Sequence, residues 1–127
     1  MTKDELIAYV QKDYNAEPEY LWQAYPNAFI LRHQSNRKWF AVAMDVQRSK
    51  LHLRGEGVVF VVDFKCGPLL GGSYLGKPGV LPAYHMNHAQ WLTILLDGTV
   101  PLETVCNLLD ISYQLRMKKK MRKGALG

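Results

Sequence analysis

Hydrophobic and polar positions along this chain follow two different periods, and the change of period divides it into a helix, a run of strands and a second helix. Leu6, Ile7, Val10 and Tyr14 recur at helical spacing. Thr2 and Glu5 stand three apart ahead of them. That is a capping-box pattern, in which each side chain satisfies a backbone donor near the other. The spacing predicts a first helix over 2–15. Pro18 ends this region or opens a short turn over 20–25, and Pro26-Asn27 breaks whatever precedes it.

From Ala28 the period shortens to two. Segments 28–33 and 38–46 read as strands joined through Gln34-Ser35-Asn36-Arg37, a plausible hairpin connection. Strict alternation in the second strand places Phe40, Val42, Met44 and Val46 on one face. Trp39, Ala41, Ala43 and Asp45 then share the other. Residues 50–54 extend this strand or begin another, and Gly55 and Gly57 mark a turn. Val58 to Lys65 is rich in β-formers and is predicted as a central strand. Segment 67–79 is dense in glycine and proline and is the loosest part of the chain, although Pro68 can start one short helix. Segments 80–85 and 91–96 read as shorter strands separated by a turn at Asn87, with Asp97-Gly98 closing the second.

Pro101 suits a first helical turn, and Leu102, Val105, Cys106, Leu109, Tyr113 and Met117 trace the stripe of a second helix. Leu108, Ile111 and Leu115 widen the stripe, so this helix is expected to be buried until the charges begin. A run of strands flanked by helices favours an α+β fold with an antiparallel sheet. With 127 residues, 48% of them hydrophobic, the chain suits one domain that buries roughly two-thirds of its unfolded surface. The domain is expected over 1–115, followed by a basic tail over 116–127.

No stretch approaches the length of a membrane span, so no membrane is expected among its partners. Met1-Thr2-Lys3-Asp4-Glu5 has no basic and apolar leader, and Cys66 and Cys106 lie outside any CxxC. A reduced, cytoplasmic setting is therefore expected.

The formal charge is +5, but its distribution matters more than its sum. Arg116, Lys118, Lys119, Lys120, Arg122 and Lys123 fall in the last twelve residues with no acid among them. The remainder holds ten bases against eleven acids. Such a run attracts phosphates by Coulomb steering and counterion release; the plainer reading is a solvated, frayed end. A second group, Arg32-His33 and Arg37-Lys38-Trp39-Phe40, interleaves bases with rings. Arg32, Arg37 and Lys38 could touch phosphates while Trp39 stacks on a base. Alternatively, the bases only keep a sheet edge soluble and Trp39 lies under a helix.

Other chemistries find little footing. Gly71-Gly72-Ser73-Tyr74-Leu75-Gly76-Lys77-Pro78 nearly spells GxxxxGK[ST], but Pro78 lacks the hydroxyl that would hold magnesium. Gly79 and Pro82 also prevent the long helix that must follow. His85 and His88 have a metal-site spacing without further ligands near in sequence, and Cys66, His52 and His33 are far apart. Nothing marks an activated thiolate or a carboxylate pair. No enzyme activity, metal or cofactor is expected.

Pro82-Ala83-Tyr84-His85-Met86-Asn87, Trp91 through Gly98, Pro101 and Asp110-Ile111-Ser112-Tyr113 together resemble the C-terminal signature of the MmcQ/YjbR family of small bacterial proteins. The hairpin 29–41 and Lys65-Cys66-Gly67-Pro68 are similar to one branch of it, so the resemblance spans nearly all of 2–115 and leaves out the basic run. It implies a fold like that of the bacterial frataxin CyaY, with an antiparallel sheet covered on one face by the two terminal helices. It also implies DNA binding, and supplies no catalytic residues. A frataxin-like iron role calls for a dense acidic ridge; here Asp4, Glu5, Asp13, Glu17 and Glu19 are offset by Lys3 and Lys12, so iron is not expected. The signature also has a mechanical reading, in which Trp91 and Tyr113 lock strand to helix.

The leading expectation is a non-enzymatic DNA-binding domain with weak sequence preference that holds double-stranded DNA by its phosphates. The alternative is a protein-interaction module whose partner sits on an exposed sheet face or edge. A third is a small-molecule pocket between the sheet and the 67–79 loop.

Overall fold

The first helix forms as its cap predicts. In the computed structural model, which describes residues 1–67 and 73–126 and side chains as far as residue 115, α1 spans Lys3–Tyr14. The Glu5 backbone N–H donates to Thr2 Oγ1 at 3.1 Å, and the Thr2 N–H donates to Glu5 Oε1 at 2.9 Å. Asn15, in the left-handed region at φ 54°, ends the helix.

Five strands follow: β1 (Phe29–Arg32), β2 (Trp39–Gln47), β3 (Val58–Lys65), β4 (Val80–Pro82) and β5 (Trp91–Leu95). They form one antiparallel sheet in the order β1-β2-β3-β5-β4, so β3 is central, as its composition predicts. Residues 50–54 form neither a strand nor an extension of one. Arg48–Leu51 is a single 3-10 turn, and His52 at φ 59° closes it, which turns the chain back toward β3. The short helix that Pro68 can start lies outside the described residues.

The second helix, α2, spans Leu102–Leu126. The basic run from Arg116 onward therefore continues the backbone of a helix that begins in the core, rather than leaving it as an irregular end.

Both helices pack on one sheet face. Leu6 and Val10 of α1 and Val105, Leu108 and Leu109 of α2 join Phe29, Leu31, Ala43, Val62, Phe64, Leu92 and Ile94 in a single buried cluster. Fully burying side chains of this size is worth about 1.5–3 kcal/mol each. The opposite face holds two smaller clusters. One is Ile30, Val42, Ala83 and Trp91; the other is Val46, Val59, Val61 and Leu95.

Strict alternation fails at one place in β2. Leu31 faces Ala41 across the ladder, whereas Arg32 faces Trp39, so Phe40 is an extra residue at a β-bulge. The bulge turns Phe40 into the helix-side core, fully buried, and leaves Trp39 on the other face with Val42 and Met44. The expected grouping of Phe40 with Val42, Met44 and Val46 is thus corrected, and Trp39 does not lie under a helix.

Candidate functional site

Two of the three hairpin cations stand beside an acid. The chain after α1 returns along β1, where Glu19 and Ile30 exchange backbone hydrogen bonds of 3.1 and 3.0 Å. This places the Glu19 carboxylate between two guanidinium groups, at 3.1 Å from Arg32 and 3.4 Å from Arg37. Lys38 is exposed and makes no ion pair among the described residues. Two of the three predicted phosphate contacts therefore share one carboxylate, and the trio keeps a net positive charge. Trp39 is half-buried and has neighbours on its ring. The Arg32 guanidinium lies over its ring at 5.8 Å, and Trp22 packs against it edge-on at 6.2 Å.

Trp22 and Trp39 instead form one side of a groove of about 620 Å³ on the sheet face away from the helices. Val42, Met44 and Val46 of β2 make its floor. Tyr25 and Asn27 close it from the loop before β1, and Tyr84, His85 and Met86 from the segment between β4 and β5. Asn27 Nδ2 donates to Asp45 Oδ2 at 3.3 Å and ties that loop to β2. None of the described residues of 67–79 lines the groove, which is therefore distinct from the pocket expected at the glycine-rich loop.

That loop has a different role. After Lys77 the chain makes a tight turn, with the Val80 N–H donating to the Lys77 carbonyl at 3.0 Å, and it enters β4 rather than a helix. A phosphate-cradling helix after Gly76-Lys77 is thus replaced by a strand.

The signature residues of α2 hold the molecule together. Ser112, fully buried, donates its hydroxyl to the Phe40 carbonyl at 2.6 Å, which satisfies a backbone acceptor at the bulge. Tyr113 stacks between Tyr14, at 4.3 Å between ring centroids, and His33, at 4.1 Å. Asp110 accepts from the hydroxyls of both Tyr9, at 2.9 Å, and Tyr14. Burial and these bonds to the carboxylate push both phenols well above the usual tyrosine range. The mechanical reading therefore holds for Tyr113, which locks helix to helix and both to the hairpin. Trp91 lies on the opposite face, where it packs with Ile30, Val42 and Ala83.

One buried acid was not anticipated. Asp63 lies between Val62 and Phe64 of the helix-side core, so it faces the other layer. It is fully buried; its Oδ1 accepts from the Thr93 hydroxyl at 2.5 Å, and its Oδ2 has no hydrogen-bond partner among the described residues. Burial pushes this carboxyl up to about 7, against a smaller lowering by the Thr93 bond. Among the described residues no three His, Cys, Asp or Glu side chains converge to hold a metal ion, and both cysteines are free. No helix there is long and apolar enough to cross a membrane.

A profile of the YjbR family matches residues 12–115. The protein YyaQ of Bacillus subtilis is 35% identical over 115 residues, which cover 91% of this chain and 98% of that protein. The chain belongs to the YjbR family. A Pseudomonas syringae protein of known crystal structure is 39% identical and superposes with a TM-score of 0.87, over 91% of this chain and 98% of that one. A crystal structure from Deinococcus radiodurans, at 24% identity, shares the fold with a TM-score of 0.71, over 94% of this chain and 80% of that one.

Within this YjbR-family fold the groove was not foreseen because no local pattern announces it. Its walls come from Trp22, residues 24–28 and residues 84–86, brought together only by the sheet. One signal was present: three aromatic positions, Tyr20, Trp22 and Tyr25, in a segment with no helical or strand period of its own. Such a loop has to lay its rings on another surface or leave them in water.

Proposed function

We propose that this protein is a non-enzymatic, cytoplasmic DNA-binding domain with weak sequence preference, contacting phosphates through Lys and Arg. The observation that carries this reading is the charge of α2. The helix leaves the core and continues to Leu126, and from Arg116 onward its sequence carries six bases and no acid. The rest of the chain is nearly neutral. Positions 116, 119, 120 and 123 recur at the i, i+3, i+4, i+7 spacing of one helix side. An α-helix is of a width that the major groove of duplex DNA admits. The hairpin contributes less: Lys38 is available, and Arg32 and Arg37 share the charge of Glu19.

The test is a salt series of duplex binding. If about six phosphates are neutralised, the log–log slope is roughly −5. Removing residues 116–127, or changing Arg116, Lys118, Lys119, Lys120, Arg122 and Lys123 to glutamine, flattens it toward zero. Binding absent at low salt, or equal for the full and neutralised chains, overturns the proposal.

A second reading, a protein partner, is favoured by the loop that bounds the groove: Tyr20, Leu21 and Tyr25 are exposed there. The sheet edges offer less, since Glu19 already pairs with β1 and β4 is three residues long and ends at Pro82. A partner captured by the native chain and lost from a Leu21→Asp, Tyr25→Asp variant would support it.

A further inference from the structure

We propose that the groove on the sheet face away from the helices binds a small, flat, uncharged aromatic or heteroaromatic molecule of about two fused rings. The assignment is independent of the DNA reading. Its volume of about 620 Å³ lies within the range of small-molecule sites, whereas a protein docking surface is usually flatter.

The lining determines the ligand class. Trp22 and Trp39, perpendicular to each other at 6.2 Å, stand on one side. Tyr84 and His85, with ring centroids 4.0 Å apart, stand on another. Between them Met44 and Met86 offer thioethers, which adapt to aromatic faces and gain from sulfur–ring contact. Flat rings fill such a space better than branched aliphatic groups do. The floor is buried and apolar, so charge is not expected on the ligand body. The charged side chains of the lining are Asp45 and Lys50, one of each sign, and the Asp45 carboxylate already accepts from Asn27. Neither sign of ligand is favoured.

The walls are also held in place. The Asn27–Asp45 bond ties the first loop to β2, and the Tyr84 N–H donates to Thr93 Oγ1 at 2.7 Å. His85 sits at φ 63°, a conformation that non-glycine residues adopt at a cost, in the turn that brings Tyr84 and Met86 to the same cavity.

The experiment titrates the intact protein with quinoline, indole and adenosine, and with decalin as an aliphatic control of similar size. Tryptophan fluorescence and thermal shift report binding, since Trp22 and Trp39 are both in the wall. The expected result is saturable one-to-one binding of at least one aromatic probe, with Kd on the order of 100 μM and no comparable response to decalin. Met44→Glu places a charge on the floor and should weaken binding at least tenfold. Tyr84→Ser, at a half-buried wall position, does the same should Met44→Glu fail to fold. No saturation by any aromatic probe below about 5 mM, where Kd corresponds to only a few contacts, overturns the assignment. So does equal binding of decalin, or binding unchanged in both variants. Displacement of the probe by a single-stranded oligonucleotide but not by adenosine also overturns it, because the groove would then serve a polymer.

Discussion

Asp63 and Thr93 face each other across β3 and β5 in the buried layer under Tyr84, and the threonine hydroxyl, 2.5 Å from Oδ1, is the only hydrogen-bond donor the carboxyl has among the described residues. A carboxylate so placed is costly to charge. Its folded-state value of about 7 is above that of an unfolded aspartate, about 4. The folded protein therefore holds a proton that the unfolded chain releases between those limits. The stability from this group is complete below about pH 4 and is lost as pH rises through about 7, by roughly 4 kcal/mol at most. Asp63→Asn should remove this decline. Denaturant unfolding at pH 5 and pH 8 checks it: the wild type weakens with pH, while the variant changes little and is the more stable at pH 8.

The contact between Ser112 and the bulge leads to a second expectation. Ser112→Ala removes the hydroxyl that satisfies the buried Phe40 carbonyl, and an orphaned buried acceptor costs about 1–3 kcal/mol. Chemical denaturation should show that loss with an unchanged m-value, because the surface exposed on unfolding is the same.

Gly79 concerns the loop that resembles a phosphate-binding sequence. Its φ is +81°, and a Cβ there would lie 2.6 Å from Val100 Cγ2 and 3.2 Å from Thr99 Cβ. Gly79→Ala combines left-handed strain with a clash against a buried side chain, for a loss of about 2–4 kcal/mol. A lowered thermal midpoint with unchanged DNA affinity at permissive temperature is the expected pattern.

Glu19 allows the hairpin's part in DNA binding to be measured separately. Glu19→Gln releases Arg32 and Arg37 from their shared carboxylate. These pairs are partly exposed, so stability should change by less than about 1 kcal/mol. If the hairpin reaches phosphate, duplex affinity rises and the salt slope steepens by about one to two units. An unchanged slope confines the contacts to α2.

How much of this was legible in the sequence depended on the range of the interaction. The capping box of Thr2 and Glu5 is set by residues three apart, and the alternation of Val58 to Lys65 marked the central strand. Both follow from local spacing. The face assignment of Trp39 and Phe40 did not, because the bulge is held by Tyr14, Ser112 and Tyr113, far away in the chain. The pairing of Arg32 and Arg37 with one acid was hidden for the same reason, since Glu19 meets them only after the chain doubles back. The cations of 116–123 were legible as charge, whereas their continuation on a helix depends on a stripe that began at Leu102. Asp63 gave no warning at all; one acid in an alternating strand reads as solvent-facing until the second layer is known.

The pairing of Glu19 with β1 and the proline at the end of β4 have an effect beyond the single molecule. A sheet whose outermost strands are this short, one paired at Ile30 and the other ended by a proline, gives another copy only a short row of amides to continue. Concentrated solutions of the folded protein should therefore resist growth into cross-β fibres, despite a centre built of valine-rich strands.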